Sequence, residues 1–197
     1  MTRARELSKG GIGIGLTSIY PGNVVVNSGS ATVGSTGKVT FSGAGNVELN
    51  QIFSTEYDNY RIILSAEGGA VANNYVAMYM RFGSGTGTLY NSSSIYTQQI
   101  YSDGTSTSSS RTTANYFHAM MYSYTDNSGT CVMDVINPNR AFPTRAHWTQ
   151  AYGTSGIATH TNIGVDSSST QFTGVTLSKI SGTWNGIVSV YGYKAGA

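Results

Sequence analysis

Asn74-Tyr75-Val76-Ala77-Met78-Tyr79-Met80-Arg81-Phe82 decides the fold. Val76, Met78, Met80 and Phe82 fall on one side of an extended chain, and Tyr75, Ala77, Tyr79 and Arg81 on the other. A strand imposes this period of two and a helix does not. Outward from this stretch the alternation recurs at Val39 and Phe41, Val47 and Leu49, and Tyr60-Arg61-Ile62-Ile63-Leu64. Further runs cover 95–101, 116–124, 131–136, 146–152, 173–180 and 186–193. Turn signals separate them, among them Asp103-Gly104, Asn137-Pro138-Asn139 and Asn185-Gly186. Period-two strands with short polar connections predict an all-β fold of antiparallel sheets packed face to face. Roughly nine or ten strands over about 160 residues suit a jelly-roll-like β-sandwich.

Composition agrees. Charged residues make up 10% of the chain, against roughly 25% in an ordinary soluble domain. The chain has 26 Ser, 24 Thr and 25 Gly, so hydroxyls supply the polar surface that charge usually gives. Fourteen tyrosines add flat faces with a polar tip. Arg3, Arg5 and Lys9 against Glu6 make the first ten residues basic, and the rest of the chain balances to zero. Without a cluster of Lys and Arg on the body, no nucleic-acid partner is expected. No stretch has the length and apolarity of a membrane span or a signal-peptide core, so neither membrane insertion nor the usual export route is expected. Cys131 is the only cysteine, so no disulfide can form within the chain, and its apolar strand-like setting predicts a buried thiol.

The spacing of signals divides the chain at residue 37. Residues 1–37 hold Gly-Gly-Ile-Gly-Ile-Gly, a Tyr20-Pro21-Gly22-Asn23 turn and a Ser/Gly/Thr stretch, too rich in glycine for a helix or an independent strand. Yet Ile12, Ile14, Leu16 and Ile19 are too apolar for a merely solvated tail. Two readings stand: an extended arm, basic at Arg3, Arg5 and Lys9, that orders against another subunit, or a leader that never orders. Residues 38–197 are read as the sandwich domain. Within it, 83–94 and 102–113 read as long loops, since Thr105 to Ser110 is entirely Ser and Thr and builds no core.

Catalytic groups are sparse. Glu56 and Asp58 read as turn residues before a strand, and His118, His147 and His160 stand in no metal-ligand spacing. No nucleophile elbow or phosphate loop is present. The expectation is therefore a non-enzymatic protein with no cofactor and no metal. Binding has more material. Tyr90, Tyr96 and Tyr101 flank the two polar stretches and are the candidate surface contacts, unless they simply cover sheet faces.

Three phrases resemble a known group. Ala4-Arg5-Glu6-Leu7-Ser8-Lys9 is similar to the opening of small tail-fibre-like virion proteins of tailed bacteriophages, cyanophages among them. Phe53-Ser54-Thr55-Glu56-Tyr57-Asp58-Asn59-Tyr60-Arg61-Ile62 and Gly186-Ile187-Val188-Ser189-Val190-Tyr191-Gly192-Tyr193-Lys194 resemble the start and the final strand of a β-domain in the same group. The resemblance carries no catalytic residues. It implies a virion component made in the host cytoplasm, homotrimeric, with its N-terminal segment against other virion proteins and its β-domain outward. It leaves open a tail fibre or fibre tip that attaches to a host glycan or surface protein, a capsid decoration or cement subunit, and a glycan-degrading tail enzyme.

Overall fold

The alternating stretches become strands because each can cover one face and leave the other to solvent. In the computed structural model, residues 15–67, 74–83, 88–89, 95–102, 107–123, 129–152 and 158–194 are described. Sixteen strands form among them. The first five are β1 (Thr17–Ser18), β2 (Asn23–Val26), β3 (Ser30–Val33), β4 (Val39–Ala44) and β5 (Asn46–Asn50). Next come β6 (Asn59–Glu67), β7 (Asn74–Phe82), β8 (Thr88–Leu89), β9 (Ile95–Ser102), β10 (Thr107–Ala114) and β11 (Phe117–Ser123). The last are β12 (Gly129–Ile136), β13 (Thr144–Tyr152), β14 (Ala158–Asp166), β15 (Gly174–Lys179) and β16 (Trp184–Tyr193).

They make a sandwich of two antiparallel sheets. The larger runs β10-β9-β14-β13-β12-β6-β16-β4-β3, with β1 also on β16. The smaller runs β11-β7-β15-β5-β2, with β8 on β7. The chain crosses between sheets again and again, as a stack of plain hairpins does not. Between the sheets lie the alternate residues that the pattern placed inside. Val76, Met78 and Met80 of β7 face Ile62 and Leu64 of β6 and Met133 of β12 in one core, all fully buried. Trp148, Trp184, Tyr60 and Phe41 are its largest members, and Phe41 meets Trp184 edge-on at 4.5 Å. Cys131 is buried in β12, and burial pushes its thiol pKa up.

The sheets differ in width, and the mismatch is resolved at β11. This strand pairs with β7 on one side only. A bulge between Phe117 and Met121 bends it, with Ala119 at φ 51°. Its free edge is tied to the larger sheet by side chains. His118 N donates to Thr97 Oγ1 at 3.3 Å and Tyr122 N to Gln150 Oε1 at 2.7 Å. The carbonyl of Ala119 accepts from Trp148 Nε1 at 3.2 Å and from Gln150 Nε2 at 3.0 Å. Phe117 then lies against Gly164 of β14, where a side chain would collide with its ring. Below β11 the inner face of β9 and β14 is polar: Thr97, Gln99, His160, Asn162 and Asp166 are all buried.

The structure corrects three expectations. Residue 37 is not a domain boundary, because the described part of the proposed arm is woven into the sandwich. Thr17–Ser18 pair with β16, Asn23–Val26 with β5 and Ser30–Val33 with β4. Ile19, Val24, Val26 and Ala31 pack on the core, and Leu16 is exposed. Glycines that disfavour an independent strand do not prevent one that is paired from the outset, and Gly29 and Gly37 take the positive φ that their turns need. Second, the Ser/Thr stretch is not a long loop: Thr107–Ala114 pairs with β9 over eight consecutive residues. Thr is β-branched, and an edge strand needs little apolar cover. Third, β14 was not foreseen at all. Of the 83–94 loop, Gly83 and β8 are described; Arg3, Arg5, Lys9, Ile12, Ile14 and Tyr90 lie outside the described residues.

Two outcomes follow. Removing residues 1–37 strips β1, β2 and β3 and with them four apolar side chains that pack on the core; at ~1.5–3 kcal/mol for each fully buried aliphatic, their partial burial is worth about 3–6 kcal/mol. Urea unfolding of 38–197 beside the full chain checks this, and equal midpoints would refute it. Acid should also destabilise the fold. Burial lowers the pKa of His118 and takes that of His160 down to about 4. Above the unfolded value of about 6.5 neither affects stability; between there and about 4 the unfolded chain binds the protons first, so stability falls as pH falls. His160→Gln should flatten part of that slope in melts between those two pH values, and an unchanged slope would rule out His160 as a source.

Candidate functional site

The outer face of the larger sheet is made of whatever the core rejected, and at one end that is unusual. On β9, Tyr96, Gln98 and Ile100 point outward while Thr97 and Gln99 are buried. On β14, Thr161 and Ile163 are exposed while His160, Asn162 and Asp166 are buried. β14 and the middle of β9 are thus inside out, with Ile163, Ile100 and Tyr96 facing solvent and Gln99, His160 and Asn162 facing the core, while Ile95 at the start of β9 is buried in the ordinary way. The polar inner face under β11 is what permits it.

Register places these outward residues in rows across the sheet. One row runs Arg111–Gln98–Ile163–His147 and the next Thr113–Tyr96–Val165–Arg145, crossing β10, β9, β14 and β13. Between the rows lies a groove of about 310 Å³ lined by Tyr96, Thr97, Gln98, Arg111, Thr112, Thr113, Ile163 and Val165. Its aromatic wall, Tyr96, is 57% exposed and Ile163 is 56% exposed, so the apolar surface is open to a ligand. A phenol face, aliphatic patches, hydroxyls, an amide and a guanidinium converge there. That set stacks on a ring and hydrogen-bonds its substituents.

The charge around the groove is one-sided. The described ion pairs engage Arg61 with Asp134 at 2.8 Å, Arg81 with Glu48 at 3.3 Å and Arg140 with Asp58 at 2.6 Å. Arg111 and Arg145 are in none of these, and both are exposed. Asp134 of β12, opposite His147 of β13, is held by both Nε and Nη2 of Arg61 and accepts from the Tyr193 hydroxyl at 3.2 Å. Among the described residues no group of three or more His, Cys, Asp or Glu side chains could hold a metal ion.

Of the candidate contacts, Tyr96 stands in the groove. Tyr101 does not: it is half-buried on the opposite face of β9, with its ring 4.7 Å from that of His160. Tyrosines five residues apart in one strand face opposite ways, so the run that contains both could not expose both. Sequence reading missed Arg111, Gln98, Thr113, Ile163 and Val165. The signal for the last two was alternation, Thr159, Thr161, Ile163 and Val165 against His160, Asn162, Gly164 and Asp166.

No protein-family model matches the chain, and no curated protein matches it significantly in sequence. Two solved structures are similar in a loose geometric sense. One is a protein of unknown function from Shewanella oneidensis MR-1, at a TM-score of 0.28 and 9% identity over 92% of this chain and 80% of that one. The other is the SPRY domain of human HERC1, at 0.29 and 10% identity over 82% of this chain and 98% of that one. Likeness this slight says nothing of function.

Proposed function

We propose that this chain is a non-enzymatic virion protein of a tailed bacteriophage, a tail fibre or fibre-tip subunit that attaches to a glycan on the host surface. The groove on β10, β9 and β14 is its contact surface, and residues 1–14 join it to other virion proteins in a homotrimer. The observation that carries the reading is Tyr96, open beside Gln98, Arg111 and Thr113 over an aliphatic floor, on a strand, β9, that is paired along both edges. Rigid strands hold a recognition surface more accurately than loops do. The setting rests on the three phrases quoted above, two of which lie in or next to β6 and in β16, side by side in the larger sheet.

One observation favours a capsid decoration subunit instead. Phe142 is 64% exposed on the loop between β12 and β13. That loop is braced: Asn139 Nδ2 donates to the Phe172 carbonyl at 2.7 Å, and Arg140 bonds Asp58 at 2.6 Å. A bare aromatic held rigidly is the kind of side chain that anchors protein to protein.

Immunogold electron microscopy of intact particles, with antibody raised to residues 38–197, separates the two. Gold at the tail is the expected outcome. Gold spread over the head would replace the fibre reading with decoration, and bare particles would overturn both.

A further inference from the structure

We infer that the ligand of the β10–β9–β14 groove is an acidic polysaccharide, a chain of sugar rings bearing carboxylates, held between Arg111 and Arg145. This rests on the reading of the groove as a glycan contact and narrows it. The outward positions of four neighbouring strands show why. They are Thr107, Ser109, Arg111 and Thr113 on β10, and Tyr96, Gln98, Ile100 and Ser102 on β9. On β14 they are Thr159, Thr161, Ile163 and Val165, and on β13 Arg145, His147, Thr149 and Ala151. Two arginines stand on this surface and no Asp or Glu does. The whole chain has nearly as many acids as bases, 9 against 11, so a face of one sign is a local choice and not a reflection of composition.

The two guanidinium groups bracket the apolar floor. Arg111 lies on β10 and Arg145 on β13, three strands away. At ~4.8 Å per strand and one row of offset, their backbones are about 16 Å apart. A ligand that reaches both must cross Tyr96, Ile163 and Val165 on the way. An extended chain of rings does this and a single small anion does not. Each ring offers an apolar face for Tyr96 and hydroxyls for Gln98 and Thr113, and the carboxylates find the guanidinium forks, which suit them in geometry and charge. Nucleic acid fits less well: two cations and one open aromatic are few for a phosphate backbone, which is neutralised by about six to ten contacts in a typical complex.

The test is titration calorimetry of the full chain at low salt with three acidic probes: oligogalacturonate, oligomannuronate and hyaluronan fragments. Each is paired with its methyl ester, which keeps the rings and removes the charge. The expected result is that at least one acid binds about tenfold or more tighter than its ester, and weakens as salt rises. Arg111→Gln or Arg145→Gln should lose about tenfold against that acid and nothing against the ester, while Tyr96→Ala weakens both. All three positions are exposed, and unchanged melting curves confirm that the variants fold.

Esters or neutral dextran binding as well as the acids would overturn the inference and leave the glycan reading standing. No binding of any saccharide would overturn both. A single-stranded DNA oligonucleotide binding tighter than every acid would overturn the polysaccharide assignment.

Discussion

Six strands must roof ten, and the rest of this molecule follows from that inequality. In a sandwich of equal sheets each inner face is roofed by the other, and apolar packing suffices. Here the smaller sheet ends at β11 while the larger runs on into β14, β9 and β10. The inner face of those strands, buried under the edge strand β11, needs a different solution. The bonds from Thr97, Trp148 and Gln150 to the backbone of β11 are that solution, since they hold an edge strand that pairing alone holds on one side. Each net hydrogen bond contributes roughly 1 kcal/mol, but leaving those buried groups unmade would cost more than that.

Once the inner face there is polar, the outer face is free to be apolar. Strand β14 shows the exchange most plainly. Gly164 admits the Phe117 ring, His160 and Asn162 fill the inside, and Ile163 is left facing water. Scattered exposed aliphatics are ordinary on any protein. Ile163, Ile100 and Tyr96 are not scattered, because strand register brings them onto neighbouring strands around one groove. Packing inside the fold and chemistry outside it are therefore settled by the same residues, read on alternate positions.

What the sequence disclosed depends on which way a strand faces. β7, β6, β12 and β15 were legible because their apolar residues point inward, the arrangement that alternation is taken to mean. β14 alternates as cleanly, but in reverse, with His, Asn and Asp in the places expected of Val or Leu. β10 was hidden for a simpler reason: Ser and Thr carry no burial signal, so an edge strand and a polar loop look alike until β9 is seen beside it. The arm was misjudged because intrinsic propensity says little about short strands that ride on neighbours distant in sequence, as β1 does on β16. Of the candidate site, Tyr96 was visible by residue type. Arg111 and Ile163 became neighbours of it only through pairings between strands far apart in the chain.

Cys131 sits in β12, between β6 and β13, near the middle of the larger sheet. Its thiol is 1% exposed and held protonated by burial, so neither an alkylating reagent nor an oxidant meets a nucleophile while the sheet is closed. The protein thus has a single chemical witness to its own interior. Modification of that one sulfur counts the excursions in which the central strands part, and no other thiol competes for the reagent.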